Sequence, residues 1–212
     1  MMKIKIFTAL SLILGLAFFN GQKLEFKDKN LEKAVIENFD LNKDGVIEAS
    51  EAELVANLFL VQKNIKSAED LSFFKNVKMI MLDDNVIPVM SLKNLDKLEL
   101  FSCTGCKTSS FTAENLKKLA SLYIDNNLLE GISLKDTPGI DQLTLSLNKL
   151  KTVDLTLLKN LRKLNVEHNK LQKIDISGNP LLQTLNVGGN NMKETDIKKG
   201  LKTDVTIFGA EQ

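Results

Sequence analysis

The sequence predicts a solenoid: short strands stacked into a parallel sheet on a concave face, a convex side of mostly strand-like or irregular backbone, and a small helical cap in front. Three observations predict it. Asn127, Asn148, Asn169 and Asn190 recur every 21 residues. Each closes the same apolar frame, L-x-x-L-x-L-x-x-N. Leucine dominates a chain with 43% hydrophobic but only 6% aromatic residues and no Trp, which suits a repetitive aliphatic core better than an enzyme-like pocket.

The frame is clearest in four copies. They are Leu119, Leu122, Ile124 and Asn127; Ile140, Leu143, Leu145 and Asn148; Leu161, Leu164, Val166 and Asn169; and Leu182, Leu185, Val187 and Asn190. Upstream, Val77, Ile80, Leu82 and Asn85 form a copy. Leu95, Leu98, Leu100 and Cys103 form another at irregular spacing, with Cys103 in the asparagine slot. Val55, Leu58, Leu60 and Lys63 form the first, giving about seven copies over residues 55–201. Val205 and Ile207 mark a final capping strand in residues 202–212.

In L-x-L the apolar pair points inward and its neighbours outward, so each copy reads as one short strand. A lone strand cannot bury its apolar side, but stacked copies share a continuous core. The asparagine amide can satisfy buried backbone groups of adjacent coils. A second apolar strip follows each asparagine, as in Leu150, Val153 and Leu155, with V-D-L and I-D-I alternation that reads as extended backbone. Over residues 55–200 the chain resembles the bacterial 21-residue leucine-rich-repeat class, L-x-x-L-x-L-x-x-N-x-L-x-x-L-D-L. The resemblance implies a leucine-rich-repeat solenoid that binds other molecules.

Ahead of the repeats, residues 22–54 carry Asp40-Leu41-Asn42-Lys43-Asp44-Gly45-Val46-Ile47-Glu48-Ala49-Ser50-Glu51. This matches D-x-[DN]-x-[DN]-G-x5-E at every specified position. Calcium takes 6–8 oxygen ligands. Asp40, Asn42 and Asp44 offer side-chain oxygens, Val46 its carbonyl, Glu48 a water-mediated contact and Glu51 two oxygens. Gly45 permits the sharp turn and Ile47 can anchor the loop. Helical patterning on both sides, over residues 31–37 and from Glu51 towards Leu60, predicts a helix-loop-helix, EF-hand-like cap. No second loop of this kind is found, which favours a structural cap holding Ca2+ over a sensor with an opening groove. The order of cap and repeats resembles the N-terminal modules of many secreted bacterial repeat proteins.

A partner, protein or glycan, is expected on the concave face. Outward positions read as Phe59, Val61, Met79, Met81, Phe101 and Tyr123 in the early copies. Later copies present Thr144, Ser146, Lys163, Asn165, Glu167, Thr184 and Asn186. The early cluster is the candidate hot spot and the later half a polar rim. An alternative function is a redox- or calcium-responsive factor that switches through Cys103 and Cys106 or through the calcium loop. For the cysteines, buried thiols, a local disulfide and redox activity stay open; two cysteines are too few for tetrahedral zinc. His168, the one histidine, has no serine or cysteine in register, so a non-enzyme is expected.

Lys3 and Lys5 followed by an apolar run over residues 6–19 and Asn20-Gly21-Gln22 read as a signal peptide over residues 1–21. The run is shorter than the ~20 residues a membrane span needs. Export to the periplasm, cell surface or medium follows as the expectation. Net charge is +1, and −1 once the two leader lysines are removed, with no basic patch to attract nucleic acid. A monomer is expected.

Overall fold

A computed structural model describes residues 21–201 and 204–211. The expected leader therefore lies outside the described residues, except for Gly21. Eight short strands form one parallel sheet: β1 (Asn57–Phe59), β2 (Met79–Met81), β4 (Leu100–Ser102), β6 (Ser121–Tyr123), β8 (Gln142–Thr144), β9 (Lys163–Asn165), β11 (Thr184–Asn186) and β13 (Thr206–Phe208). The opposite side carries two smaller parallel sheets. One joins β3 (Val89–Lys93), β5 (Ser110–Glu114) and β7 (Ile132–Lys135); the other joins β10 (Ile174–Asp175) and β12 (Ile197–Lys198). Between the two sides runs one continuous aliphatic core, from Phe26 and Leu31 in the cap to Met192 and Ile197 in the last coil. No helix among the described residues is long and apolar enough to cross a membrane.

The register corrects the frame of one copy. Phe101 pairs with Ile80 on one side and Leu122 on the other, and all three are fully buried. The true third copy is thus Leu98, Phe101, Cys103 and Cys106, and six successive coils start at 77, 98, 119, 140, 161 and 182. The repeat is a regular 21 residues through this stretch, where an irregular one was expected. Leu95, expected to open the copy, instead closes the preceding turn. It is buried in the slot that Phe74, Leu116 and Leu158 fill in other coils. Three leucines at 95, 98 and 100 allow two frames; burying a phenylalanine ring decides between them, since it removes more apolar area than the smaller Leu100 would.

The asparagines hold the register. The Nδ2 groups of Asn127, Asn148, Asn169 and Asn190 donate to carbonyls 24 residues earlier, those of Cys103, Ile124, Leu145 and Val166, each at 2.8 Å. Their Oδ1 atoms accept from the N–H groups of Thr108, Leu129, Leu150 and Leu171, 19 residues earlier, at 2.9–3.0 Å. One buried amide thus satisfies a donor and an acceptor of the coil before it. Cys106, not Cys103, fills this slot in the third coil, and the two cysteines are joined by a disulfide with Cα atoms 5.6 Å apart. The bonded sulfur has no proton to donate and no amide oxygen beside it. Ile87 N–H turns instead to the backbone carbonyl of Cys106 at 2.9 Å, and the Leu82 carbonyl is taken by Asn85.

The cap is smaller than expected. Helix α1 (Lys29–Phe39) buries Leu31, Ala34 and Val35, but α2 spans only Ala49–Ala52. The helix expected to run on towards Leu60 stops because Asn57, Leu58 and Phe59 join the sheet as β1. Ladder bonds to β2 and burial of Leu58 override the helical pattern there.

Candidate functional site

Residues 40–51 form a tight loop whose polar side chains bend back onto their own backbone. Asp40 Oδ1 accepts from Lys43 N–H at 2.7 Å and Oδ2 from Gly45 N–H at 2.8 Å. Asn42 Oδ1 accepts from Asp44 N–H at 2.9 Å, and Asp44 Oδ1 from Val46 N–H at 3.0 Å. Gly45 has φ +84°, in the left-handed region that other residues seldom adopt. Ile47 is buried, and its carbonyl accepts from Leu24 N–H at 2.9 Å; Lys23 and Glu48 form an antiparallel bridge. The segment before α1 thus pairs with the loop, and this explains how a single loop is held without a second one.

Glu48 and Glu51 are the unusual pair. They are 5% and 1% exposed, so two carboxylates meet in a nearly dry site. The Glu51 carboxylate beside it, together with burial and the charges of Glu51 and Asp44, pushes Glu48 up to about 7. Glu51 Oε1 accepts from Leu41 N–H at 2.7 Å and Oε2 from Glu48 N–H at 3.1 Å. Two carboxyl groups held together beside Asp44 are the environment that a divalent cation relieves. The donor set is all hard oxygen, as calcium prefers. Three or more acidic, histidine or cysteine side chains do not converge among the described residues as a ready-made metal cluster.

A reciprocal carboxylate clasp ties this cap to the repeats, and sequence reasoning missed it. Asp28 caps α1 through Oδ1, accepting from Asn30 and Leu31 N–H, while Oδ2 accepts from Lys66 and Ser67 N–H. In return, Asp70 Oδ2 accepts from the N–H groups of Lys27 and Asp28, each at 2.9 Å. Both aspartates are buried. Only Asp28, before a helical run, carried a sequence signal.

The sheet face is the second candidate. Phe59 and Val61 are exposed and Met79, Met81 and Tyr123 half-buried, all on outward positions. Phe101 is 0% exposed and packs near Phe111, with ring centroids 6.0 Å apart, so it is no contact residue. The frame shift puts Leu100, half-buried, in its place. Farther along, Lys163 is exposed and Asn165 and Glu167 are half-buried. Asn165 Oδ1 accepts from Glu167 N–H, and Glu167 Oε2 from Asn186 Nδ2 at 3.2 Å. His168 is exposed, its Nε2 3.7 Å from Glu167 Oε1.

No family model matches the sequence, and no curated protein matches it. Solved structures do. A leucine-rich-repeat protein of Leptospira interrogans aligns with TM-score 0.58 and 19% identity, covering 68% of this chain. Internalin C2 of Listeria monocytogenes aligns with TM-score 0.51 and 16% identity, over 86% of this chain and 94% of that one. The fold is that of bacterial leucine-rich-repeat proteins. This chain spans 39% of the Leptospira protein's length.

Proposed function

We propose that the protein is an exported leucine-rich-repeat binding module whose N-terminal cap is stabilised by calcium. The observation that carries the calcium assignment is the buried Glu48–Glu51 pair within a loop of alternating oxygen donors. Asp40, Asn42, Asp44, Val46, Glu48 and Glu51 would hold the ion, which supplies positive charge where two carboxylates are otherwise forced together. The partner, protein or glycan, docks on the eight-stranded sheet. Support comes from the outward Phe59, Met79, Met81 and Tyr123, since aromatic residues and methionine are enriched at the core of interfaces, with Leu100 extending the apolar surface. Export rests on the leader-like residues 1–21.

The cysteine pair supports a staple over a redox switch: both residues are fully buried and bonded within one coil, where an external thiol has no approach. Thermal unfolding with calcium and with chelator tests the cap. Free calcium at ten times its dissociation constant should add about 1.4 kcal/mol, or roughly 3–6 °C for a chain of this size. Glu51→Gln should remove that increment. A midpoint indifferent to calcium in the wild type would overturn the assignment.

A further inference from the structure

Strands β1, β2, β4 and β6 each present two outward positions, which stack into two rows. The first row is Asn57, Met79, Leu100 and Ser121; the second is Phe59, Met81, Ser102 and Tyr123. Ser102 interrupts the second row with a small side chain, 5% exposed, its hydroxyl donated to Asp83 Oδ1. The second row thus steps from Met81 to a short side chain and back to Tyr123, with Leu100 in the neighbouring row. Carboxylates lie at both margins: Glu99 precedes the first position of β4 and Asp141 that of the adjoining strand β8, while Asp83 and Asp125 stand two residues after the second positions of β2 and β6. Lys78 is the one cation at these strand positions, while Lys75, Lys97, Lys117 and Lys118 lie in the turns that enter the strands.

We infer that this half of the face binds a cationic amphipathic helix. The inference rests on the reading of the sheet face as the partner-binding surface. A sheet face offers side chains but no backbone ladder, so an occupant must satisfy its own N–H and C=O groups, which a helix does. Four strands at their usual spacing span about 14 Å, close to the ~16 Å of three helical turns. The two flexible thioethers of Met79 and Met81 adapt to a row of apolar knobs. The flanking carboxylates choose positive charge for the rest of the helix and steer its approach.

The chain has one tyrosine, Tyr123, and no tryptophan, so its fluorescence reports on this face alone when the probe lacks aromatics. The probes are three peptides of about 18 residues, long enough for an apolar stripe: a Leu/Lys helix with that stripe, a shuffled peptide of the same composition, and a Leu/Glu helix with the same stripe. The Leu/Lys helix should saturate the protein, change Tyr123 emission and weaken as salt rises; the other two should bind at least tenfold more weakly. Met79→Ser with Leu100→Ser should weaken the Leu/Lys peptide at least tenfold, and Lys173→Ala, an exposed position before β10 on the opposite side of the solenoid, should not. Glu99→Lys with Asp141→Lys, both surface changes, should shift preference towards Leu/Glu.

Equal binding of the shuffled peptide overturns the helix. Preferred binding of Leu/Glu that is lost on Met79→Ser with Leu100→Ser overturns the cationic partner and keeps the face as a binding surface. Binding that ignores that variant and leaves Tyr123 unchanged overturns the proposal and removes the face from the wider reading. Absence of binding by all three peptides overturns the helix alone.

Discussion

Phe101 and Leu100 are adjacent, and the two possible frames of the third coil assign them opposite roles. In the structure Phe101 is fully buried between Ile80 and Leu122, near Phe111, whereas Leu100 is half-buried on the sheet face. Truncating a buried phenylalanine removes its transfer free energy and leaves a cavity that stacked coils cannot close; Phe101→Ala should cost about 3–5 kcal/mol. Leu100→Ala loses only a partly covered side chain and should cost less than ~1 kcal/mol. Urea unfolding followed by far-ultraviolet circular dichroism at fixed calcium separates the two. With a slope near 3 kcal/mol/M, the Phe101 variant should lose roughly 1–2 M from its midpoint. The Leu100 variant should move by a few tenths of that. Equal losses, or a larger loss at Leu100, would refute the register and with it the placement of Cys106 in the asparagine slot.

Cys103→Leu with Cys106→Asn rebuilds the third coil to match its neighbours. The double variant should fold under reducing conditions with stability within ~1 kcal/mol of the oxidised wild type, because the amide replaces what the short disulfide loop supplies. Midpoints in dithiothreitol check this, and a loss of several kcal/mol would contradict it. Asp28 gives the acid response. Burial pushes its carboxyl up, but the N–H groups of Lys66, Leu31, Ser67 and Asn30 outweigh that and hold it below the usual carboxylate range. A depressed folded value means stability that is present above about pH 4, the ordinary aspartate range, and is lost as pH falls through the folded value. Thermal midpoints at pH 7, 4 and 3 should fall more steeply for the wild type than for Asp28→Asn. Parallel curves would count against the clasp.

Most of the solenoid was legible because its signal is redundant. Asn127, Asn148, Asn169 and Asn190 each carry a register mark that no single substitution can blur, and each makes the same two bonds. The third coil lost both marks at once: a phenylalanine stands where the frame expects an aliphatic residue, and a cysteine replaces the asparagine. Leu95, Leu98 and Leu100 then offered a false frame. The loop at residues 40–51 was legible because its spacing is local. Its surroundings were not, because the pairing of Leu24 with Ile47 and of Asp28 with Lys66 and Ser67 joins segments whose contact no periodicity encodes. The short α2 was overestimated for a similar reason: the strand that ends it is stabilised by β2, 22 residues on.

A period of 42 residues is superimposed on the 21-residue repeat and bears on what the sheet face can bind. Asp83, Asp125 and Glu167 occupy the same position in every second coil. Asp83 accepts from Ser102 Oγ and Thr104 N–H of the next coil, and Asp125 accepts from the hydroxyls of Thr144 and Ser146 and from Ser146 N–H. Glu167 accepts from Asn186. The residues that lock one coil to the next therefore also place carboxylates along one margin of the face. On the proposed reading of this face, stability and partner choice share these side chains, so a substitution such as Asp125→Asn acts on both, whereas Lys163 and Tyr123, whose side chains make no hydrogen bond to another coil among the described residues, act on affinity alone.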